Sequence, residues 1–212
     1  MQRTCSAGEL FEQSNGLLVH HDIVRMKYIV FYKPYAVLSQ FSPEPGKLTL
    51  KNFLDVPKDI YPVGRLDYDS EGLLLLTNDN QTKIKLTDPK YAHPKTYLAQ
   101  VERTPDKASL EKLRTGVVIE GKKTLSADAE LILEEPDFPP RSTPIRLRKN
   151  VPTAWLRITI REGRNRQVRK MTAAIGHPTL RLIRISIGTI TIGSLTPGSW
   201  KEITLADIFT HH

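Results

Sequence analysis

Leu73-Leu74-Leu75-Leu76-Thr77 is an unbroken apolar run set between Gly72 and the turn-forming Asn78-Asp79-Asn80. A strand with one wet face alternates apolar and polar residues. This run does not alternate, so it predicts a strand buried on both faces. Other segments surround it. Tyr28 to Tyr32 reads as a strand stopped by Lys33-Pro34, and Thr96 to Glu102 as another. Leu156 to Arg161 alternates, with Leu156, Ile158 and Ile160 on one face and Arg157, Thr159 and Arg161 on the other. Val117–Glu120, Ala129–Glu134 and Leu180–Ile187 complete the strands.

Helices are fewer. Leu48 to Leu54 reads as a short helix with Leu50, Phe53 and Leu54 inward. Thr104 is a suitable N-cap with Pro105 at the first helical position, and Gly116 closes that helix at Thr115. A third helix runs from about Asn165 to Ile175 before Gly176, burying Val168, Met171 and Ile175. Its Arg166, Arg169 and Lys170 share another face. Strands outnumber helices and do not interleave regularly with them. The class is therefore α+β, with a mixed, largely antiparallel central sheet flanked by helices. Residues 1–26 lack a sustained period and read as a loosely ordered tail before one domain, 27–212.

Charge narrows the function. Residues 141–184 hold twelve Lys or Arg against one acid, Glu162, a balance of +11; the remaining residues, nineteen against twenty-two, balance at −3. Such one-sided density is a footprint for a polyanion, with RNA or DNA ahead of an anionic membrane surface. No apolar run approaches the ~20 residues that would span a bilayer. A lone cysteine, Cys5, precludes an intrachain disulfide and fits a reducing, cytoplasmic setting. The histidines lack metal-ligand spacing.

Four groups of residues could carry chemistry. Asp67 lies in Gly64-Arg65-Leu66-Asp67-Tyr68-Asp69-Ser70-Glu71-Gly72, beside the buried strand, where a neighbouring cation would keep it ionised as nucleophile or base. Asp67 and Asp69 could alternatively hold Mg²⁺ or flank a glycosidic bond. The cluster Arg161-Glu162-Gly163-Arg164-Asn165-Arg166-Gln167-Val168-Arg169-Lys170 feeds a helix N-terminus suited to phosphate. Tyr97 could stack on an unpaired base, and Leu182 with Arg184 pairs an apolar contact with a charged one.

Taken in order, these segments resemble the RsuA-type pseudouridine synthases over nearly all of residues 27–205. Phe31-Tyr32-Lys33-Pro34-Tyr35 is similar to the family's opening motif. Gly64-Arg65-Leu66-Asp67 through Leu74 is similar to its catalytic motif. Leu86-Thr87-Asp88-Pro89 and Lys95-Thr96-Tyr97 match its tyrosine segment, and Glu162 to Met171 its basic motif. Too few residues precede the first strand for the S4 domain most relatives carry. That feature, Gln40-Phe41, and the run from Pro144-Ile145-Arg146 to Pro152-Thr153-Ala154-Trp155 resemble the RluE subgroup.

The resemblance implies the pseudouridine synthase catalytic fold and a monomer that isomerises one uridine of 23S ribosomal RNA, with neither cofactor nor metal. It implies Asp67, Tyr97 and Arg169 as catalytic residues, Arg169 pairing with Asp67. Arg65, Arg164, Arg166, Gln167, Lys170, Leu182 and Arg184 are expected to bind RNA, and Asp69 to support the loop. The rival readings are a non-catalytic RNA-binding or ribosome-assembly protein and a metal-dependent nuclease using Asp67 and Asp69.

Overall fold

The computed structural model describes residues 25–145 and 150–209. Nearly all of the predicted tail, and Arg146 to Lys149 of the basic segment, lie outside the described residues.

Seven strands form the path of one large sheet: β1 Tyr28–Lys33, β2 Glu71–Thr77, β3 Lys95–Glu102, β4 Asp128–Ile132, β5 Thr153–Ile160, β6 Thr179–Ile187 and β7 Trp200–Ile203. Their spatial order is β7-β1-β2-β6-β3-β5-β4. Neighbours are antiparallel except β2 and β6, which run parallel. Short strands Tyr61–Pro62 and Ile190–Thr191 add to β2 and β6. The helices are α1 Asn80–Thr87, α2 Lys107–Thr115, α3 Gln167–Ala174 and α4 Leu205–Phe209. This is the mixed, largely antiparallel α+β sheet expected. No helix among the described residues is long and apolar enough to cross a membrane.

The apolar run sits inside, as expected: every residue of β2 is buried. Leu73 and Leu75 join Tyr28, Val30, Tyr32 and Leu86 on one face. Leu74 and Leu76 join Ile29, Phe31, Leu50 and Leu54 on the other. Each such leucine contributes ~1.5–3 kcal/mol by leaving water. The far half of the sheet carries α2 and α3 against Tyr97, Val101, Leu156, Ile158 and Leu182. Gly72 permits β2 to approach β6. Its φ is +104°, and a Cβ there would stand 2.3 Å from the Arg184 carbonyl oxygen.

Several boundaries differ from the expectation. Asn80 opens α1 rather than ending a turn, because the Asp79 side chain accepts from the Gln81 and Thr82 N–H groups. α2 begins at Lys107, since Asp106 rather than Thr104 caps it, accepting from Ser109 N–H. The segment from Leu48 is a two-residue strand followed by a 3-10 turn, Leu50–Asn52, although Leu50 and Leu54 do point inward. Helix α3 starts at Gln167, later than expected, because Arg166 adopts a left-handed conformation with φ +50°.

Candidate active site

Residues 64–70 form a loop leading into β2, and the segment after β1 clamps it. Ser39 Oγ accepts from Leu66 N–H at 3.1 Å and donates to Leu66 O at 2.9 Å. Ala36 N–H donates to Tyr68 O. Lys33, wholly buried, ties the clamp itself by donating from Nζ to Pro34 O and Val37 O. Burial pushes its ammonium down to about 7, against the opposing charges of Glu71, Asp69 and Asp67. Ser39 carried no sequence signal. Lys33 had one, in the Lys-Pro motif, but nothing there indicated a buried charge.

A cleft of about 670 Å³ opens over this loop. Arg65, Asp67, Tyr68, Lys95, Tyr97, Arg164, Arg166, Leu182 and Arg184 all contribute to its walls. Four segments distant in sequence thus bring the predicted acid, aromatic, leucine and arginines together. Tyr97 faces Ile158 of β5 and Arg184 of β6 across the ladder. Tyr97 and Leu182 are buried, at 8% and 4% exposure, within the same apolar cluster. The Asp67 side chain keeps 31% exposure, enough to meet a ligand.

The cations are distributed differently from the expectation. Arg166, not Arg169, is the cation within salt-bridge reach of Asp67 among the described residues, at 3.6 Å. Arg169 donates to Asp69 O at 2.7 Å and lies 3.4 Å from the Asp69 carboxylate. Arg166 also grips Asp69 through both guanidinium nitrogens, at 2.8 and 2.7 Å. The left-handed turn at Arg166 swings it over the loop, while Arg169 packs half-buried beneath. Arg166, Arg169 and Lys170 therefore do not form one solvated face. Burial raises the Asp69 carboxyl, but the Arg166 hydrogen bonds and the two arginine charges outweigh it and hold the carboxyl below its usual range. Asp69 supports the loop, as expected, and the Arg166 guanidinium lies within reach of both Asp67 and Asp69, where a metal ion between them would sit.

Other members of the expected RNA-binding set have structural partners. Gln167 is buried; its Oε1 accepts from Arg164 N–H and its Nε2 donates to Glu162. It braces the turn that leads into α3 and also lines the cleft. Arg164 donates to Ile119 O and Lys122 O of a small hairpin, yet still lines the cleft. Lys170 pairs with Glu120 at 2.6 Å, outside the cleft lining. Arg65 is exposed at the cleft.

A family model described as RNA pseudouridylate synthase matches residues 27–174. The ribosomal large subunit pseudouridine synthase E of Vibrio parahaemolyticus is 54% identical over 184 residues, covering 87% of this chain and 76% of its own length. That of Xanthomonas campestris is 50% identical over 175 residues, covering 82% and 93%. Ribosomal large subunit pseudouridine synthase B of Bacillus subtilis is 40% identical over 191 residues, covering 90% and 72%. A crystal structure of a pseudouridylate synthase superposes with a TM-score of 0.72 at 28% identity, covering 87% of this chain and 73% of the other.

Proposed function

The chain belongs to the RNA pseudouridylate synthase family, and on that footing we propose that it converts one uridine of 23S ribosomal RNA to pseudouridine. The reaction is an isomerisation: the C1′–N1 bond breaks, the base turns, C5 joins C1′ and the C5 proton leaves. Neither redox change nor group transfer is involved, so the residues of the cleft suffice. The substrate reading rests on the large-subunit names of relatives at 50–54% identity.

The observation that carries the assignment is the juxtaposition of Asp67, half-exposed, with the buried Tyr97 and Leu182 in a single cleft. Its volume lies within the ~300–1,000 Å³ typical of ligand pockets. A uridine in a folded RNA cannot reach such a site while stacked, so it must be extruded. Tyr97 then stacks on the base and Leu182 packs on its other side. Asp67 attacks C1′ or removes a sugar proton. Arg65 fills the space of the displaced base or holds phosphate. Arg166 sets its guanidinium beside the Asp67 carboxylate and orients it. Arg169 acts one step further away, as a positioning residue that fixes the loop through Asp69. On this reading the protein acts as a monomer in the cytoplasm, where bacterial ribosomal RNA is made.

Mapping pseudouridine in ribosomal RNA from a strain lacking this protein tests the assignment. One large-subunit pseudouridine should be missing and should return on complementation. An unchanged map would favour a non-catalytic RNA-binding role.

A further inference from the structure

Arg184 is a buried charge in the cleft that the scheme above leaves without a task. It is 3% exposed, lies in β6 opposite Tyr97, and lines the cleft. Its Nε donates to Leu73 O at 2.8 Å. Its Nη2 is buried and has no hydrogen-bond partner within the protein. The acids nearby are committed elsewhere: Glu71 to Arg181, Asp69 to Arg166 and Arg169, Asp67 to Arg166. Its charged neighbours include lysines. Burial, chiefly, lowers Lys33 and Lys95, and the charge of Arg184 acts in the same direction on both.

A buried guanidinium nitrogen without an acceptor is costly, and more so beside like charges. Placed on the wall of a binding cleft, it gains most when a ligand brings an oxygen that becomes negative during reaction. Two sources of oxygen are available in RNA. Phosphate suits the exposed rim, where Arg65 and Arg166 stand. Arg184 stands instead on the floor, beside the two side chains placed to sandwich the base.

We propose that Arg184 donates from Nη2 to a carbonyl oxygen of the target uracil and stabilises the negative charge the base carries as it leaves C1′. The proposal rests on the isomerase reading. Whether Asp67 bonds to C1′ or removes a sugar proton, the C1′–N1 bonding pair departs on N1 and spreads onto O2 and O4. After the base turns, C5 bonds to C1′ with that electron density. Asp67 is then released, or returns its proton to the sugar. C5 loses its proton to solvent and N1 takes one up, so atoms and electrons balance without a further reactant. Arg184 is thus a catalytic residue for the leaving base.

The test compares wild type, Arg184→Gln and Arg184→Lys under single turnover, on an RNA fragment carrying either uridine or 5-fluorouridine at the mapped position. Fluorine draws negative charge into the ring, so the departing base then needs less help. Arg184→Gln should slow glycosidic rearrangement of uridine by roughly 10²-fold, leave the RNA Kd nearly unchanged, and slow 5-fluorouridine far less. Arg184→Lys should fall between. If Arg184→Gln fails to fold, Arg184→Lys carries the same two-substrate comparison. Equal slowing of both substrates, or a weaker Kd with an unchanged rate, would overturn the role of Arg184. Wild type inactive on both would instead overturn the isomerase reading beneath it.

Discussion

Asp69 accepts two hydrogen bonds from Arg166 and holds Arg169 by both its carboxylate and its carbonyl. Through it, α3 fixes the loop that presents Asp67. Asp69→Asn should therefore slow single turnover, up to the roughly 10²-fold that a small misplacement costs, with RNA affinity nearly kept. Stopped-flow rates and filter binding would separate the two; wild-type rate would contradict the role. Because the folded carboxyl lies below its unfolded value, its stabilisation is present above the ordinary carboxylate range and fades as pH falls through the folded value. Lys33 has linkage of the same sign in a higher pH window. Its folded value near 7 lies below the ordinary lysine value, so the unfolded chain binds the extra proton between about pH 7 and 10 and stability rises with pH there. Lys33→Met should flatten that rise in thermal melts; an unchanged pH dependence would contradict it. At this scale the grouping of Asp67, Tyr97 and Leu182 in one cleft was legible from the ordered motifs that carry them, since by type alone each reads as a surface acid or a core residue. The arginine partners were not. The left-handed turn at Arg166 decides which guanidinium reaches which acid, and no periodicity encodes a positive φ at a non-glycine residue.

Among the elements, β2 was the most legible because burial on both faces leaves a continuous apolar signature. Its neighbour α1 was not, since only Thr82 and Leu86 of its residues are buried and its start depends on one capping side chain, Asp79. The parallel contact of β2 with β6 was also hidden, because Gly72 signals freedom but not the strand that uses it. That contact yields a prediction. Gly72→Ala would set a methyl 2.3 Å from Arg184 O and 2.7 Å from Arg184 N, with backbone on both sides unable to yield. Loss of stability of roughly 3 kcal/mol or more is expected, from steric overlap and the strained φ together. Urea unfolding measures it; a change under about 1 kcal/mol would show that the two strands can separate cheaply.

Over the whole molecule, the described residues of the +11 segment do not make one RNA-binding face. Arg157 pairs with Glu130 and Arg161 with Asp128 along β4, while Arg181 forms a buried pair with Glu71. Sequence charge density identified a polyanion partner but could not apportion charges between folding and binding, because the acids that neutralise them come from other strands. Arg157→Gln should leave RNA affinity within about twofold, whereas Arg65→Gln, at the cleft, should weaken it and lower the salt slope by up to about one counterion. Equal losses would restore the single-footprint view.

All these arrangements converge on the Asp67 carboxylate, and the most direct measurement follows the hydrogen that leaves C5. Purified wild type and Asp67→Asn are incubated with large-subunit ribosomal RNA labelled with tritium at uridine C5. Wild type should release tritium to water up to about one equivalent per RNA, and Asp67→Asn should bind the RNA equally well and release none. Tritium release by Asp67→Asn at a rate near wild type would contradict the assignment.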